Sequence, residues 1–196
     1  ETESWNGTSW TEVSDLNESR YRFAGAGADN ESFLVFSGDS PPGSAVGKTE
    51  LWNGSSWTEL SANINVVRLW AAGCGESTAA LFFGGSPNGA ASSATCESWN
   101  GTAWTEVNDM GTARFFLSGT GSQTAALAFN GQSTKTTQQF NGTSWTEVND
   151  QSLDMNQGAG SGTQTAALLF GSQIPGNTAK TEEWNPVDGT QTVDDA

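Results

Sequence analysis

The sequence predicts an all-β protein, a β-propeller built from four-stranded antiparallel blades. Three observations predict this fold class. First, one phrase recurs about every 45 residues, as SWNGTSWTEV, LWNGSSWTEL, SWNGTAWTEV and QFNGTSWTEV. Second, a Gly-x-Gly segment and an apolar run ending in Phe lie between the copies. Third, no stretch shows the period of an amphipathic helix.

Each repeat contains four strand candidates, and the second unit illustrates them. They are Leu69–Gly75, Ala79–Phe83, Thr95–Trp99 and Ala103–Val107. The second candidate is apolar throughout, which is typical of a strand buried on both faces. The fourth alternates like a strand with one wet face. Asn-Gly joins the third and fourth candidates and predicts a type I′ hairpin turn with two residues at positive φ. Such a unit forms one propeller blade.

The numbers of strand candidates do not match. The segment for the first and second strands of a blade, its inner strand pair, occurs four times, whereas the phrase that begins the third strand occurs five times. One solution closes a four-bladed ring by pairing the hairpin Ser4–Val13 with Gly158–Phe170, which leaves residues 181–196 as a surplus tail. The other completes the last blade with Thr181–Val193 and leaves the hairpin as the orphan. We prefer the first, because the hairpin is a full consensus copy and the tail contains Pro186. A ring of five or more blades in a longer parent chain is the alternative. In each case residues 1–196 are interpreted as one propeller domain.

Specific residues in the repeat resemble those of the kelch-type β-propeller. A kelch blade carries a glycine pair, an aromatic residue, a Trp and an Arg in that order, and Gly84-Gly85, Trp99, Trp104 and Arg114 match it. Arg20 and Arg68 precede other blades in the same way, whereas the fourth unit has Met155. The WNGTSWTEV wording also looks like repeat proteins of bacterial viruses and aquatic microbes. The resemblance implies architecture and says little about activity, because kelch-like blades serve enzymes, adaptors and surface proteins alike.

Composition excludes several classes of chemistry. The chain has no His, which removes His–metal sites and Ser-His-Asp triads, and also the copper-radical chemistry of galactose-oxidase-like propellers. We predict no cofactor and no metal site. The net charge of −15 disfavours nucleic acid as a partner, and no apolar run is long enough for membrane insertion. Cys74 and Cys96 are expected on non-adjacent strands as packed thiols, without a disulfide.

Few residues are candidates for a binding site. Trp70 is the one Trp outside the repeated positions, and its equivalents are Arg22, Phe116 and Gln157, so no common packing role is imposed there. Trp70 could stack on a sugar or a partner, or pack locally. Arg20, Arg68 and Arg114 are further candidates for ligand or partner contacts. The Asn-Gly-Thr/Ser sequences at Asn6, Asn53, Asn100 and Asn141 match N-glycosylation acceptors, although the hairpin turn explains their recurrence better. Length variation is concentrated in the second-to-third-strand loops, where binding sites often lie.

The leading functional hypothesis is a non-enzymatic, extracellular structural or assembly module, such as a component of a fibre, a virion or a cell surface. Self-association through the terminal strands or the variable loops would follow, since a surplus strand offers an edge for β-strand addition. A carbohydrate-binding, lectin-like propeller is the alternative. A carbohydrate-active enzyme that uses paired carboxylates is the third hypothesis, although no pair of acidic residues stands out.

Overall fold

A computed structural model describes residues 1–87, 89–132, 134–173, 178–186 and 192–194. No helix able to cross a membrane occurs in these ranges. The strands in chain order are β1 (Thr2–Trp5), β2 (Trp10–Val13), β3 (Ala24–Gly27), β4 (Phe33–Phe36), β5 (Asp39–Ser40), β6 (Ser44–Ala45), β7 (Thr49–Trp52), β8 (Trp57–Glu59), β9 (Ala72–Glu76), β10 (Ala79–Phe83), β11 (Cys96–Trp99), β12 (Trp104–Val107), β13 (Ser118–Ser122), β14 (Ala125–Phe129), β15 (Thr137–Phe140), β16 (Trp145–Val148), β17 (Ala159–Thr163), β18 (Ala166–Ser172), β19 (Thr178–Trp184) and β20 (Thr192–Asp194).

The chain forms a four-bladed β-propeller of small antiparallel sheets, which confirms the predicted fold class. Blade 1 contains β3, β4, β7 and β8, and blades 2, 3 and 4 contain β9–β12, β13–β16 and β17–β20. The four strands predicted in the second unit are all present, with ends shifted by up to three residues. The short pair β5–β6 lies in the second-to-third loop of blade 1. Strands β1 and β2 form a separate two-stranded sheet, called the N-terminal hairpin below.

The preferred closure of the last blade is wrong. The N-terminal hairpin does not pair with β17 and β18; instead β19 pairs with β18, and β20 pairs with β19 in the register Glu182↔Val193. The physical reason is proximity, because β18 and β19 follow one another in the chain and closing a short loop costs less entropy than joining distant segments. Pro186 lies in the turn after β19, where no ladder hydrogen bond is required of it. Strands β19 and β20 are therefore part of blade 4 and do not form a surplus tail.

The hydrophobic core lies between the blades. Leu34 and Phe36 of blade 1 share one buried cluster with Ala80 and Phe82 of blade 2. The same positions build the next two interfaces, with Leu81 and Phe83 against Ala126 and Ala128, then Leu127 and Phe129 against Ala167 and Leu169. The first strands β3, β9, β13 and β17 pack side by side in that order. Among the described strands, β17 and β3 do not pack on each other in this way.

The Asn-Gly hairpins exist, but their turns are not of type I′. Four residues separate the paired Trp5 and Trp10, and in each such turn only the Gly has positive φ, between 89° and 93°. The Asn side chain stabilises the turn, since Asn6 Oδ1 accepts hydrogen bonds from Thr8 N and Ser9 N, both at 2.9 Å. Asn53, Asn100 and Asn141 do the same. A side-chain acceptor thus replaces the second positive φ.

Cys74 and Cys96 are buried free thiols, as predicted. Burial raises the pKa of Cys96 to about 12 and raises that of Cys74 as well. Both thiols therefore remain protonated and act as small apolar groups.

Close contact between blades depends on a glycine at the second position of each first strand. A Cβ atom on Gly73 would lie 2.8 Å from both Gly25 O and Phe36 Cζ, closer than packed atoms approach. We expect Gly73→Val to lower the free energy of unfolding by about 2 kcal/mol or more, because blades 1 and 2 would be forced apart. Urea denaturation followed by Trp fluorescence measures this.

Ala159→Val is the matched control, since Ala159 lies on the exposed first strand of blade 4. Its effect should stay within about 0.5 kcal/mol. Equal stability of the Gly73 variant and the wild type would contradict the interpretation of the interface.

Candidate functional site

The interfaces between blades follow one pattern, in which the second-strand Phe of a blade meets the next blade. Phe36 contacts Trp104 of blade 2 at 4.7 Å between ring centroids, and Phe83 contacts Trp145 of blade 3 at 5.0 Å. The first-strand Gly of the following blade covers the same Phe. Each blade therefore requires a successor to bury this face.

Blade 4 has this face, and none of the described strands packs on it as a following blade does. Leu168 and Phe170 are 46% and 42% exposed. The equivalent residues of blades 1 to 3 are at most 3% exposed, namely Leu34, Phe36, Leu81, Phe83, Leu127 and Phe129. A groove of about 420 Å³ lies here, lined in part by Ser161, Gly162 and Leu168. We call Leu168 and Phe170 the open face.

The N-terminal hairpin has the opposite deficit. It matches the third and fourth strands of a blade, yet none of the described strands pairs with it as a first or second strand. Trp5 and Trp10 are 45% and 63% exposed, whereas the equivalent Trp99 and Trp104 are buried. A Cβ atom on Gly7 would meet no atom within 4 Å, whereas a Cβ atom on the equivalent Gly54, Gly101 or Gly142 would lie 3.4 Å from the inner turn of its own blade.

Hydrogen bonds hold the hairpin in the place of a blade that precedes blade 1. Asn30, in the inner turn of blade 1, donates to Ser4 Oγ at 3.0 Å and to Trp5 O at 3.5 Å. Blade 3 contacts blade 2 in the same way, because Gln123 donates to Ser98 Oγ at 2.9 Å and to Trp99 O. Gln164 of blade 4 donates to Phe140 O of blade 3 at 2.5 Å. The hairpin therefore lies where the outer half of a blade before blade 1 belongs, and we call this half-blade together with the open face the incomplete fifth-blade position.

A second site lies on the axis, on the face of the loops. A cavity of about 240 Å³ is lined by four residues that each stand three positions before the second-position glycine of a first strand, namely Arg22, Trp70, Phe116 and Gln157. We call these four residues the axial mouth. Trp70 N donates to Arg22 O at 3.4 Å, Phe116 N to Trp70 O at 3.0 Å, and Gln157 N to Phe116 O at 3.2 Å. No bond among the described residues joins Gln157 to Arg22, which agrees with the open ring.

The axial mouth combines aromatic and polar groups. The Arg22 guanidinium lies 4.5 Å from the Trp70 ring centroid and forms an ion pair with Asp39 at 2.8 Å. Trp70 also contacts Phe116 at 4.7 Å and stacks on Phe115 at 5.6 Å. All four mouth residues have φ between 55° and 60°, a region that costs a non-glycine residue about 1 kcal/mol or more. The sequence therefore has large side chains at four positions where glycine would carry less backbone strain energy.

Sequence reasoning selected Trp70 but assigned its three equivalents no common role. The detectable signal was their fixed position three residues before the glycine, because equivalent positions of a ring converge on its axis.

The structure places the other predicted contact residues in the interior. Arg20, Arg68 and Arg114 are at most 8% exposed. Arg20 forms an ion pair with Glu50, and Arg68 Nη1 binds Glu97 Oε1 at 2.9 Å. Each Arg also donates to backbone carbonyls of its own blade. The three side chains thus join a blade connection to the third strand, and their buried positions leave no surface for a ligand.

Blades 3 and 4 each retain only one member of the repeated Arg–Glu ion pair. In blade 3 Gln138 replaces the Glu, so Arg114 keeps only carbonyl partners at Thr136 and Ala128. Burial lowers the pKa of Arg114 to about 10. In blade 4 Met155 replaces the Arg, and Glu182 instead accepts bonds from Ser152 N at 2.9 Å and Leu153 N at 2.7 Å.

The four Asn residues predicted as glycosylation acceptors, Asn6, Asn53, Asn100 and Asn141, lie in exposed turns. Their glycosylation stays a prediction.

Comparison with known proteins yields no family assignment, since no protein-family model matches the chain. A search of curated proteins also finds no match.

The unpaired Arg114 generates a prediction about stability. We expect Gln138→Glu to raise the free energy of unfolding by about 1–2 kcal/mol, because the new carboxylate would pair with a cation that is already buried. Gln138 Oε1 has no hydrogen-bond partner now, so the substitution removes no bond of that atom. Chemical denaturation near neutral pH measures the change.

Gln139→Glu is the control, because neighbouring side chains of a strand point to opposite faces. A loss of stability in the Gln138 variant, or an equal gain in the control, would contradict the proposed role of the pair.

Proposed function

We propose that this chain is a non-enzymatic structural module that assembles with other polypeptides on an extracellular or virion surface, and that its blades are of the kelch type. The observation that supports assembly is the incomplete fifth-blade position, in which the open face and the N-terminal hairpin expose four large apolar side chains. The kelch-type assignment is supported by the repeated glycine, Trp and buried Arg positions.

The exposed apolar residues are the energetic basis of this proposal. Full burial of a Leu or Phe side chain contributes roughly 1.5–3 kcal/mol, and aromatic residues at the centre of an interface contribute most to affinity. Leu168 and Phe170 are neighbours on one face of β18, and Trp5 and Trp10 are in contact at 5.5 Å. Isolated exposed apolar residues need no explanation, but two exposed pairs at positions that are buried in the other blades indicate a partner.

A surface location is supported by composition. The strongly acidic chain repels nucleic acid and anionic membranes. The absence of His agrees with a structural role, and Glu50, Glu97 and Glu182 are engaged in structural hydrogen bonds. No observation favours the carboxylate-enzyme hypothesis over assembly.

A second candidate function is carbohydrate binding at the axial mouth. The observation that favours it is a cavity of about 240 Å³ that combines an aromatic face, Trp70, with the polar groups of Arg22 and Gln157. Pyranose rings stack on such faces and form hydrogen bonds with such groups.

Assembly predicts that the purified chain associates in a concentration-dependent manner. The double variant Leu168→Asp/Phe170→Asp should shift the chain to the monomer, because two charges cannot be buried at an apolar contact. Sedimentation velocity over a wide concentration range measures this.

The matched control is Tyr21→Asp/Phe23→Asp, since Tyr21 and Phe23 are 41% and 45% exposed on the loop face. This control should leave association unchanged. A wild-type chain that stays monomeric at all concentrations would rule out self-assembly.

Carbohydrate binding predicts that the affinity for a glycan depends on Trp70 and not on the open face. Trp70→Ala should weaken binding of any glycan found by array screening by about tenfold or more, because the stacking surface is lost. Titration calorimetry of the variant and of the Leu168→Asp/Phe170→Asp control measures the affinity. The control should bind like the wild type, and a full array without a positive glycan would exclude this candidate.

A further inference from the structure

We infer that Arg22 is the main ligand-binding group of the axial mouth, and that it binds an uncharged sugar through two adjacent hydroxyl oxygens. The inference rests on the carbohydrate-binding candidate of the proposed function and names the class of sugar. In this arrangement Asp39 and the ring of Trp70 hold the guanidinium of Arg22 in place.

Arg22 is more accessible than the other arginines of the chain. The three others are buried inside their blades, namely Arg20, Arg68 and Arg114. The side chain of Arg22 is 40% exposed, and it lines the cavity of about 240 Å³ at the axis. Its guanidinium is therefore within reach of a ligand that enters this cavity.

The guanidinium of Arg22 is held in a defined orientation. Its Cζ atom lies 4.8 Å from the ring centroid of Tyr21 and 4.5 Å from that of Trp70. Arg22 Nη1 donates a hydrogen bond to Asp39 Oδ2 at 2.8 Å. Asp39 is itself fixed, because its backbone exchanges two hydrogen bonds with Tyr21, at 2.8 and 2.9 Å. A side chain that is already oriented loses little conformational entropy when it binds a ligand.

The opposite edge of the guanidinium is free. Nε and Nη2 of Arg22 have no hydrogen-bond partner among the described residues. These N–H groups lie side by side and form a fork that donates to two neighbouring oxygen atoms. A carboxylate offers two such oxygens, and so do two adjacent hydroxyl groups of a pyranose. The fork therefore selects an acidic sugar or a neutral sugar with a vicinal diol.

Charge favours the neutral sugar. The carboxylate of Asp39 already balances the charge of Arg22, and the other described residues that line the cavity carry no charge. The chain has a net charge of −15, which repels anionic ligands. An acidic sugar would add a second carboxylate to a guanidinium that is already paired. Two hydroxyl oxygens accept the same hydrogen bonds without adding charge.

Gln157 lines the same cavity and also favours hydroxyl groups. Its exposed side-chain amide has no partner among the residues that the structure describes. A hydroxyl that accepts a bond from Arg22 still has a proton to donate to Gln157 Oε1, whereas a carboxylate has none. Both side chains are retained at positive φ, 59° for Arg22 and 58° for Gln157, and such strain is typical of functional sites.

The test uses the full chain and matched sugar probes. The neutral probes are the methyl pyranosides of glucose, galactose and mannose, and the acidic probes are the corresponding uronic acids. Saturation-transfer NMR identifies the probes that bind, and titration calorimetry measures their Kd. We expect at least one neutral probe to bind, and to bind more tightly than its uronic acid.

Arg22→Lys and Arg22→Gln should each weaken binding of that neutral probe by about tenfold or more, because both remove the fork and Lys keeps only the charge. Lys135→Gln is the control. It changes the net charge as Arg22→Gln does, but Lys135 donates to Ser152 O and is not among the cavity-lining residues. This control should bind like the wild type. Melting temperatures equal to that of the wild type show that the variants are folded.

Asp39→Asn tests the role of charge separately. Asn keeps an oxygen that accepts from Arg22 Nη1 but removes the negative charge that balances the guanidinium. The affinity for the uronic acids should therefore rise by about fivefold or more relative to the neutral probes. An unchanged preference between neutral and acidic probes would contradict the electrostatic argument.

Three results overturn the inference: tighter binding of a uronic acid than of its neutral counterpart by the wild type, wild-type affinity of Arg22→Lys, or no binding of any probe. A glycan from the array whose affinity depends on Trp70 but not on Arg22 also overturns it, and leaves carbohydrate binding at the mouth standing. Sedimentation of the wild type reports on assembly alone. Failure of the inference is therefore distinguishable from failure of the proposed function.

Discussion

The contact between a second-strand Phe and the first-strand Gly of the next blade is the constraint on which this structure depends. Because the glycines have no side chain, neighbouring blades approach until Phe36 and Phe83 are fully buried. The hydrophobic clusters lie between blades and not within them. A blade of this kind is stable only beside a neighbour, as in other repeat architectures. The contact also has a direction, so the two ends of the array cannot be equivalent.

The two ends deal with this direction differently. At blade 1 the exposed glycines are covered from within the blade by Phe33, and Val35 is buried. At blade 4 Leu168 and Phe170 remain 46% and 42% exposed. The N-terminal hairpin stands where the outer half of a further blade belongs and is held there by Asn30. The molecule is thus capped at one end and open at the other, an arrangement that favours ordered addition over indiscriminate stacking.

Local sequence signals predicted the blades, but not the way in which they are joined. Repeats of alternating and apolar segments specify strands, so each strand of the second unit was predicted within three residues. The pairing that completes blade 4 was not predicted. The two candidate pairings contain similar strands and differ in the entropy of loop closure, which the repeated sequence does not encode. The turn type was also wrong, since the Asn side chain and not a second positive φ satisfies the turn. Of the axial mouth, only Trp70 was predicted as a contact residue. Arg22, Phe116 and Gln157 occupy the equivalent positions but differ from Trp70 in side-chain chemistry, so no sequence pattern connected them.

Charge limits how strongly copies of this chain associate through the open face. Two copies of a chain with net charge −15 repel each other, and only seven Lys and Arg residues are present to offset this. The inner strand pairs of blades 3 and 4, residues 117–129 and 158–170, contain no charged residue at all. A contact at Leu168 and Phe170 therefore buries no charge, while repulsion between the remaining surfaces weakens the association and makes it depend on salt.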